Sequence, residues 1–308
     1  MDNTSRKLVF IIGIGRSGST MLDLMLGSHS QGFSLGEISK IPEIFACHQS
    51  VEAFCPGSDF WPSHFTGQEA RQLAQGLSNH RIHQRIPLRL ERAVREFIRQ
   101  DQIFRPYTLL FEKINSPLLV DSSKYPDWVA NKIKTRELTQ GTIQVYLVNV
   151  VRDARAVLNS YLRAFPDLTV EKFAHRWMNN LESCRRILNR YPAQMQKQIR
   201  YEDLATNPHS TMQSICDWLE IPFEPSMVQY WKKMHHYVAG SLSTRALIAR
   251  YHNHPIPDLV QKIHGQHYKS VDLSIKLDER WKQHLDPEVL SHFYKLIGDL
   301  NRPFEWNS

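Results

Sequence analysis

The stretch "IIGIGRSGST", residues 11–20, predicts both a local structure and a kind of ligand. An apolar run ends at Gly13, and a helix-like pattern of apolar residues begins at Ser19. The frame Gly13-x4-Gly18 is close to the phosphate-binding loop of nucleoside triphosphate enzymes, but Ser19 stands where that loop has its lysine. Because backbone N–H groups at the start of a helix attract anions, the stretch predicts a strand, a tight turn that holds a phosphate-like group, and a helix.

The rest of the chain alternates apolar strand-like runs with amphipathic stretches. Runs rich in β-branched residues are typical of strands that are buried on both faces of a parallel sheet. The predicted strands cover residues 8–12, 117–124, 142–153 and 198–204, and the predicted helices cover residues 19–26, 127–138, 154–164, 170–190 and 208–219. This alternation predicts an α/β fold, a P-loop-like arrangement of three layers in which helices flank a central parallel sheet.

Two segments depart from the alternation. Residues 41–115 are irregular and aromatic at first and then helical over residues 67–105, and we expect them to form a helical insertion over the sheet on the substrate side. Residues 232–308 lack a clear strand and are predicted to wrap around the same single domain, which spans residues 1–308. Within the insertion, Cys47 and Cys55 are eight residues apart, a looser spacing than the cysteine pairs of zinc sites.

The composition is that of an ordinary globular protein, with 42% apolar and 22% charged residues. The net charge of +7 favours an anionic ligand, but the chain has no run of five like charges, so we expect no nucleic-acid partner. Four cysteines in 308 residues do not form a disulfide framework. The apolar run before Arg16 is too short for a membrane span and carries no cleavage-site pattern, so we expect a cytoplasmic protein.

Three of the predicted strands end in polar clusters. The clusters are Arg16-Ser17-Gly18-Ser19-Thr20, Asp121-Ser122-Ser123-Lys124, and Arg152-Asp153 with Arg155. Because ligands of open parallel sheets bind at the carboxyl ends of the strands, we expect the three clusters to meet at one site. Arg16 adds a bidentate donor to the backbone N–H groups of its loop, which suits an anion.

An anion site of this kind is compatible with more than one function. A P-loop kinase of small molecules is disfavoured because Ser19 removes the loop lysine, and because Lys124 would crowd a magnesium ion at Asp121, the best acidic candidate. A mononucleotide with a single 5′ phosphoryl-type group and no metal fits the loop better. A non-catalytic module that binds nucleotides or polyanions is the remaining alternative.

Seven segments of the chain, in order, resemble those of sulfotransferases that use 3′-phosphoadenosine-5′-phosphosulfate (PAPS). The segments are GRSGST (15–20), FSLGEI (33–38), VDSSK (120–124), VRDARAVLNSYL (151–162), IRYEDL (199–204), HYVAGSLSTR (236–245) and IKLDERW (275–281). The set is similar to bacterial members that are related to the protein-tyrosine sulfotransferase branch. Those relatives usually have Gly-Asn where this chain has Gly240-Ser241.

The resemblance implies a fold, a donor and an acceptor. It implies an in-line, metal-independent transfer of a sulfuryl group from PAPS to a hydroxyl, with a carbohydrate, a lipid or a secondary metabolite as the acceptor. Residues 16–20 would hold the 5′-phosphosulfate, and Arg152 and Ser160 would hold the 3′-phosphate. Arg152 and Ser160 are eight residues apart, about two helical turns, so both can face one phosphate group.

The resemblance also implies catalytic roles. Glu37 would accept the proton of the attacking hydroxyl, while Lys124 and Arg16 would stabilise the charge on the leaving oxygen and the sulfonate. Because a histidine is the base in the cytosolic small-molecule branch, His29 and His48 are the fallback candidates. Tyr201 would pack against the adenine, and three further cations would close over the nucleotide. These cations are Arg245, Lys269 and Arg280.

Overall fold

The computed structural model describes residues 5–78, 105–254 and 273–306. The strands are β1 (Arg6–Ile12), β2 (Gly32–Gly36), β3 (Leu118–Lys124), β4 (Ile143–Val151) and β5 (Gln196–Arg200). They form one parallel sheet in the order β2-β3-β1-β4-β5. The predicted α/β class with a central parallel sheet is confirmed.

Helices connect the strands and cover both faces of the sheet, as parallel strands require. Before β3 they are α1 (Ser19–Gly27), α2 (Ile41–His48), α3 (Phe60–His64), α4 (Gly67–Leu77) and α5 (Pro106–Ile114). Between β3 and β5 they are α6 (Pro126–Lys132), α7 (Arg136–Thr139), α8 (Ala154–Ala164) and α9 (Val170–Leu188). After β5 they are α10 (Tyr201–Thr206), α11 (Pro208–Leu219), α12 (Leu242–Tyr251), α13 (Trp281–His284) and α14 (Pro287–Ile297).

The sheet separates two apolar cores because successive side chains of a strand point to opposite faces. On one face Phe10 lies in a cluster with Trp61 of α3 and Tyr107 of α5, and its ring meets that of Tyr107 edge-on at 5.4 Å. On the other face Ile11 packs with residues of α1 and α11. The described parts of the predicted insertion, residues 41–78 and 105–115, therefore pack on one face of the sheet. A third cluster joins α8 and α9 to α14.

Strand β2 was not among the predicted strands. It is five residues long and has glycine at both ends, and only Phe33 and Leu35 are large apolar residues. It therefore lacks a continuous apolar run such as residues 8–12 of β1 or residues 145–148 of β4. Its place at the sheet edge comes from pairing with β3, in which Gly36 lies opposite Asp121.

Two other predicted elements have different bounds. The strand predicted over residues 198–204 ends at Arg200, because α10 begins at Tyr201 with two acidic residues in its first turn, where they favour a helix. The helix predicted over residues 127–138 is two helices. Thr135 has an extended backbone (φ −71°, ψ 150°) at the start of the second one and so interrupts the first.

In the part of the chain that the structure describes, no helix is both long enough and apolar enough to cross a membrane.

Candidate active site

The loop after β1 has the shape that its sequence predicts. Gly18 immediately precedes α1 with a left-handed backbone (φ 87°), and a Cβ atom there would lie 2.5 Å from the Tyr201 ring. Only glycine therefore fits between the loop and α10. The Ser17 hydroxyl is buried and has no hydrogen-bond partner among the described residues. A buried polar atom without a partner at a helix start indicates a place for an anionic ligand.

Arg16 links this loop to the helix after β4. Its backbone is left-handed (φ 67°), and its Nη1 donates a hydrogen bond to the Ser160 hydroxyl at 3.3 Å. Its guanidinium group also lies over the rings of Tyr161 and Phe165, at 5.7 and 5.4 Å from the ring centres. The structure thus places Arg16 beside the residue that the sequence assigned to the second phosphate.

Arg152 meets the same loop from the end of β4. Its Nη1 donates to the Arg16 carbonyl oxygen at 2.9 Å, and its guanidinium group stacks 4.1 Å from the centre of the Tyr201 ring. The Nε atom of Arg152 is buried and has no partner in residues 5–78, 105–254 and 273–306. Arg16, Arg152 and Ser160 together form a basic cluster, which we call the arginine pocket, and the Arg152 Nε is its donor without a partner among the described residues.

The chain after residue 272 covers the arginine pocket. Arg152 donates through Nη2 to the Asp278 carbonyl oxygen at 3.0 Å, and the Asp278 N–H donates to the Tyr201 hydroxyl at 3.3 Å. Arg280 forms a bidentate pair with the Asp278 carboxylate, at 2.6 and 2.8 Å. Arg280 therefore lies at the arginine pocket, and Tyr201 lies against Arg152 and the phosphate-binding loop.

Lys124 and Glu37 form the second half of the site. The Lys124 Nζ lies 2.5 Å from Glu37 Oε1, and the two side chains are 15% and 13% exposed. Lys124 ends β3 with a left-handed backbone (φ 72°), and its carbonyl oxygen accepts a hydrogen bond from the Gly13 N–H at 3.3 Å. The ion pair is therefore attached directly to the strand end that carries the phosphate-binding loop.

The edge position of β2 explains why Glu37 reaches Lys124. The chain leaves the sheet at Gly36, whose positive φ of 73° is suited to glycine and whose Cβ position would lie 2.3 Å from the Val238 carbonyl oxygen. Val238 extends the edge: its N–H donates to Leu35, and its carbonyl oxygen accepts from the Glu37 N–H at 2.8 Å. The Glu37 backbone is thus held on both sides, and its side chain faces the end of β3.

A buried hydrogen-bond chain supports this ion pair from beneath. The Tyr107 hydroxyl donates to Asp121 Oδ2 at 2.8 Å, and Asp121 Oδ1 accepts from the Ser123 N–H at 2.9 Å. The Ser123 hydroxyl in turn accepts from the Ser39 N–H at 3.1 Å, just after Glu37. Burial raises the pKa of Asp121 to about 6, although the hydrogen bonds from Ser123 and Tyr107 work to lower it. Both carboxylate oxygens of Asp121 are therefore engaged within the protein.

A second buried carboxyl group lies under the phosphate-binding loop. Asp23 of α1 is fully buried and accepts a hydrogen bond from the Ser122 hydroxyl at 2.7 Å. Burial raises its pKa to about 7, against the lowering effect of the hydrogen bond from Ser122. Asp23 joins α1 to β3 and so connects the two halves of the site.

The remaining predicted residues fall in several places. Ser19 and Thr20 are buried in the first turn of α1, as predicted. Arg245 donates to the Ala239 carbonyl oxygen at 2.8 Å and lies over the Tyr237 ring, beside the segment that extends the edge of β2. Lys269 lies outside the described residues.

The fallback histidines are not in the site. His29 is fully buried beyond the far end of α1, where its Nε2 lies 2.9 Å from the Pro222 carbonyl oxygen. His48 is exposed at the end of α2. A base at His29 is therefore wrong, since α1 leads the chain away from the carboxyl ends of the strands.

The cysteines of the insertion are free thiols, exposed at Cys47 and buried at Cys55. Within the described ranges, no group of three or more His, Cys, Asp and Glu side chains is arranged to hold a metal ion.

Three groups that contribute contacts to the site were not predicted from the sequence. Asp278 lies inside the quoted segment IKLDERW, but nothing local indicates that it meets Arg152, which is 126 residues away. The Val238 backbone and the Tyr107 hydroxyl act only through contacts between distant segments. A signal existed for Tyr107 alone, because a buried tyrosine usually finds a hydrogen-bond partner for its hydroxyl.

Comparisons with known proteins identify a relative in sequence and proteins of similar fold. A relative from Aquifex aeolicus (strain VF5), described as an uncharacterized protein, is 21% identical over 234 residues, which are 74% of this chain and 27% of that protein. The chain thus spans about a quarter of the length of that relative. A sulfotransferase domain from the curacin biosynthetic pathway is 20% identical and has the same fold, with a TM-score of 0.51 over 93% of this chain and 97% of that one.

A sulfotransferase domain from the Synechococcus PCC 7002 olefin synthase is also 20% identical, with a TM-score of 0.48 and coverage of 94% of each chain. The sequence model of the sulfotransferase family matches residues 9–225, which include the phosphate-binding loop, Glu37, Lys124, Arg152 and Ser160. With that match over most of its length, the chain belongs to the sulfotransferase family.

Proposed function

We propose that this protein transfers a sulfuryl group from PAPS to a hydroxyl of an acceptor, in line and without a metal ion. One observation carries the proposal: the Lys124–Glu37 pair and the arginine pocket lie at the carboxyl ends of β3, β1 and β4, which are consecutive in the sheet. Lys124 contacts Gly13 at the base of the phosphate-binding loop, and Arg152 contacts Arg16 within it. PAPS has two separate anionic groups, the 5′-phosphosulfate and the 3′-phosphate, so the site that binds it needs two connected subsites.

The residues present fit such a donor. The unpartnered hydroxyl of Ser17 and the N–H groups at the start of α1 would hold the 5′ end, and Arg152 and Ser160 would hold the 3′-phosphate. The unpartnered Nε of Arg152 is a donor that a phosphate oxygen would satisfy. Bound in this way, PAPS supplies an activated sulfuryl group.

The chain's own side chains would carry the proton and the charge. Glu37 would accept the proton of an incoming hydroxyl, and the Lys124 Nζ donates a hydrogen bond to the Glu37 carboxylate. Preorganised cations at Lys124 and Arg16 would stabilise the negative charge that develops at the leaving oxygen and the sulfonate. We propose that the insertion over residues 41–115 shapes the acceptor side, where the acceptor is a carbohydrate, a lipid or a secondary metabolite.

A thermal-shift experiment tests the donor. We expect 3′-phosphoadenosine 5′-phosphate to raise the melting temperature more than ATP with magnesium does, because a ligand that binds only the native state stabilises it. Arg152→Ala should lose most of the shift with the bisphosphate. Arg163→Ala is the matched control, since Arg163 is an exposed arginine of α8. A larger shift with ATP and magnesium would favour a kinase instead.

A transfer assay tests the reaction itself. The protein is incubated with sulfur-labelled PAPS and an extract of candidate acceptors, and the labelled product is identified. Label in an acceptor with wild type but not with Glu37→Gln is the expected result. Tight binding of the bisphosphate without any transfer to a broad set of acceptors would favour a non-catalytic nucleotide-binding module.

A further inference from the structure

Asp278 lies where a bound phosphate would meet the arginine pocket. Its carboxylate accepts two hydrogen bonds from Arg280, at 2.6 and 2.8 Å, and its Oδ2 lies 3.5 Å from Arg152 Nη2. One carboxylate thus bridges two guanidinium groups. A phosphate group can accept hydrogen bonds from guanidinium groups in the same way as a carboxylate does. Asp278 belongs to no strand and to no apolar core cluster, and besides the two guanidinium groups its carboxylate accepts a hydrogen bond from the Arg280 backbone N–H at 3.3 Å.

The backbone around Asp278 is anchored independently of its carboxylate. The Asp278 carbonyl oxygen accepts from Arg152, and the Asp278 N–H donates to the Tyr201 hydroxyl. The Tyr201 hydroxyl also reaches the Lys276 carbonyl oxygen at 3.5 Å. The side chain, which is 25% exposed, can therefore turn toward solvent while the segment remains on the pocket.

The positive charges of Arg152 and Arg280 favour displacement of the Asp278 carboxylate by a group with more negative charge. Burial works to raise the pKa of Asp278, but the hydrogen bonds from Arg280 and the charge of Arg152 outweigh it and hold that pKa well below its ordinary value. The carboxylate is thus charged at neutral pH, and it opposes two arginines with a single negative charge. A phosphomonoester carries up to two negative charges and three acceptor oxygens, and it can also reach the unpartnered Arg152 Nε.

We infer that Asp278 is an internal competitor of the donor's 3′-phosphate and sets the affinity of the site for it. In the ligand-free chain the Asp278 carboxylate holds Arg152 and Arg280 in place, and the 3′-phosphate displaces it on binding. Asp278 then lowers the affinity for nucleotides with a 3′-phosphate, including the bisphosphate product, and so favours product release. This inference rests on the proposed use of PAPS.

Calorimetric titration tests the competition without any turnover. The ligands are 3′-phosphoadenosine 5′-phosphate and adenosine 5′-monophosphate, which lacks the 3′-phosphate. Asp278→Asn should bind the bisphosphate about tenfold more tightly than wild type, because a charged hydrogen-bond competitor is removed, and should bind the monophosphate as wild type does. Asp278→Ser, which retains an acceptor for the Arg280 N–H, should behave similarly and serves if the first variant does not fold.

Glu279→Gln is the control, because it removes the same charge from the next residue, whose side chain is 41% exposed and pairs with Lys282. Weaker or unchanged binding of the bisphosphate by both Asp278 variants would overturn the inference and make Asp278 a residue that merely orients Arg152. Equal tightening for both nucleotides would overturn it too, since the effect would not concern the 3′-phosphate. If wild type itself shows no preference for the bisphosphate, the proposed function fails first.

Discussion

Replacing Glu37 with glutamine separates its proposed chemistry from its structural role. Glutamine has the shape of glutamate and keeps an oxygen that can accept from the Lys124 Nζ, which lies 2.5 Å from Glu37 Oε1. The backbone of residue 37 is held by Val238 and does not depend on the side chain. We therefore expect Glu37→Gln to fold normally, with a change of about 1 kcal/mol in the free energy of unfolding.

The size of the kinetic effect follows from what the amide cannot do. An amide does not accept a proton from the attacking hydroxyl, and loss of a general base typically costs about 10²- to 10⁴-fold in kcat. That range corresponds to about 2.7–5.4 kcal/mol in the activation free energy. Donor affinity should change little, because the residues of the arginine pocket follow β1 and β4 or lie on α8, whereas Glu37 follows β2.

The assay measures kcat with labelled PAPS and, in parallel, the dissociation constant of the bisphosphate product. The expected pattern is a fall in kcat with nearly unchanged nucleotide binding. Glu43→Gln, an exposed glutamate on α2, is the matched control and should keep wild-type turnover. A Glu37→Gln protein with more than about a tenth of wild-type kcat would refute the role of Glu37 as the base, given the loss expected for such a group.

Two further changes test the rest of the site. Lys124→Ala should lower kcat by about 10²-fold or more, as loss of one preorganised donor does. The dissociation constant of the bisphosphate should change much less. A fall in nucleotide affinity with unchanged kcat would make Lys124 a binding residue and not a catalytic one. Tyr107→Phe should lower the free energy of unfolding by about 1–3 kcal/mol at pH 8, because it leaves a buried Asp121 oxygen without its donor. The loss should be smaller at pH 5. Burial already raises the pKa of Asp121 to about 6, and removal of the tyrosine hydroxyl raises it further. The native state of the variant therefore binds a proton at Asp121 at pH 5, which offsets part of the loss. Urea unfolding at both pH values, with the exposed Tyr251→Phe as control, measures the difference, and equal losses at both would contradict this account.

Much of the fold could be predicted because its signals are local. Strands β1, β3 and β4 each contain a continuous apolar run, residues 8–12, 118–120 and 145–148, and α8 and α11 have the predicted bounds, residues 154–164 and 208–219. Strand β2 could not be predicted in this way, because its short sequence forms a strand only where β3 offers an edge.

The same distinction between local signals and long-range contacts applies to the residues of the site. A strand that ends in glycine and polar residues before a helix specifies an anion-binding loop by itself, so residues 16–20, Lys124 and Arg152 could be assigned from the sequence. The resemblance already implied that Glu37 and Lys124, 87 residues apart, share one site, whereas tertiary structure alone decided that Asp278 meets Arg152. Local periodicity carries no information about which distant segments pair. Those contacts exist because the order of the strands in the sheet, and the path of the chain over its edge, bring the segments together.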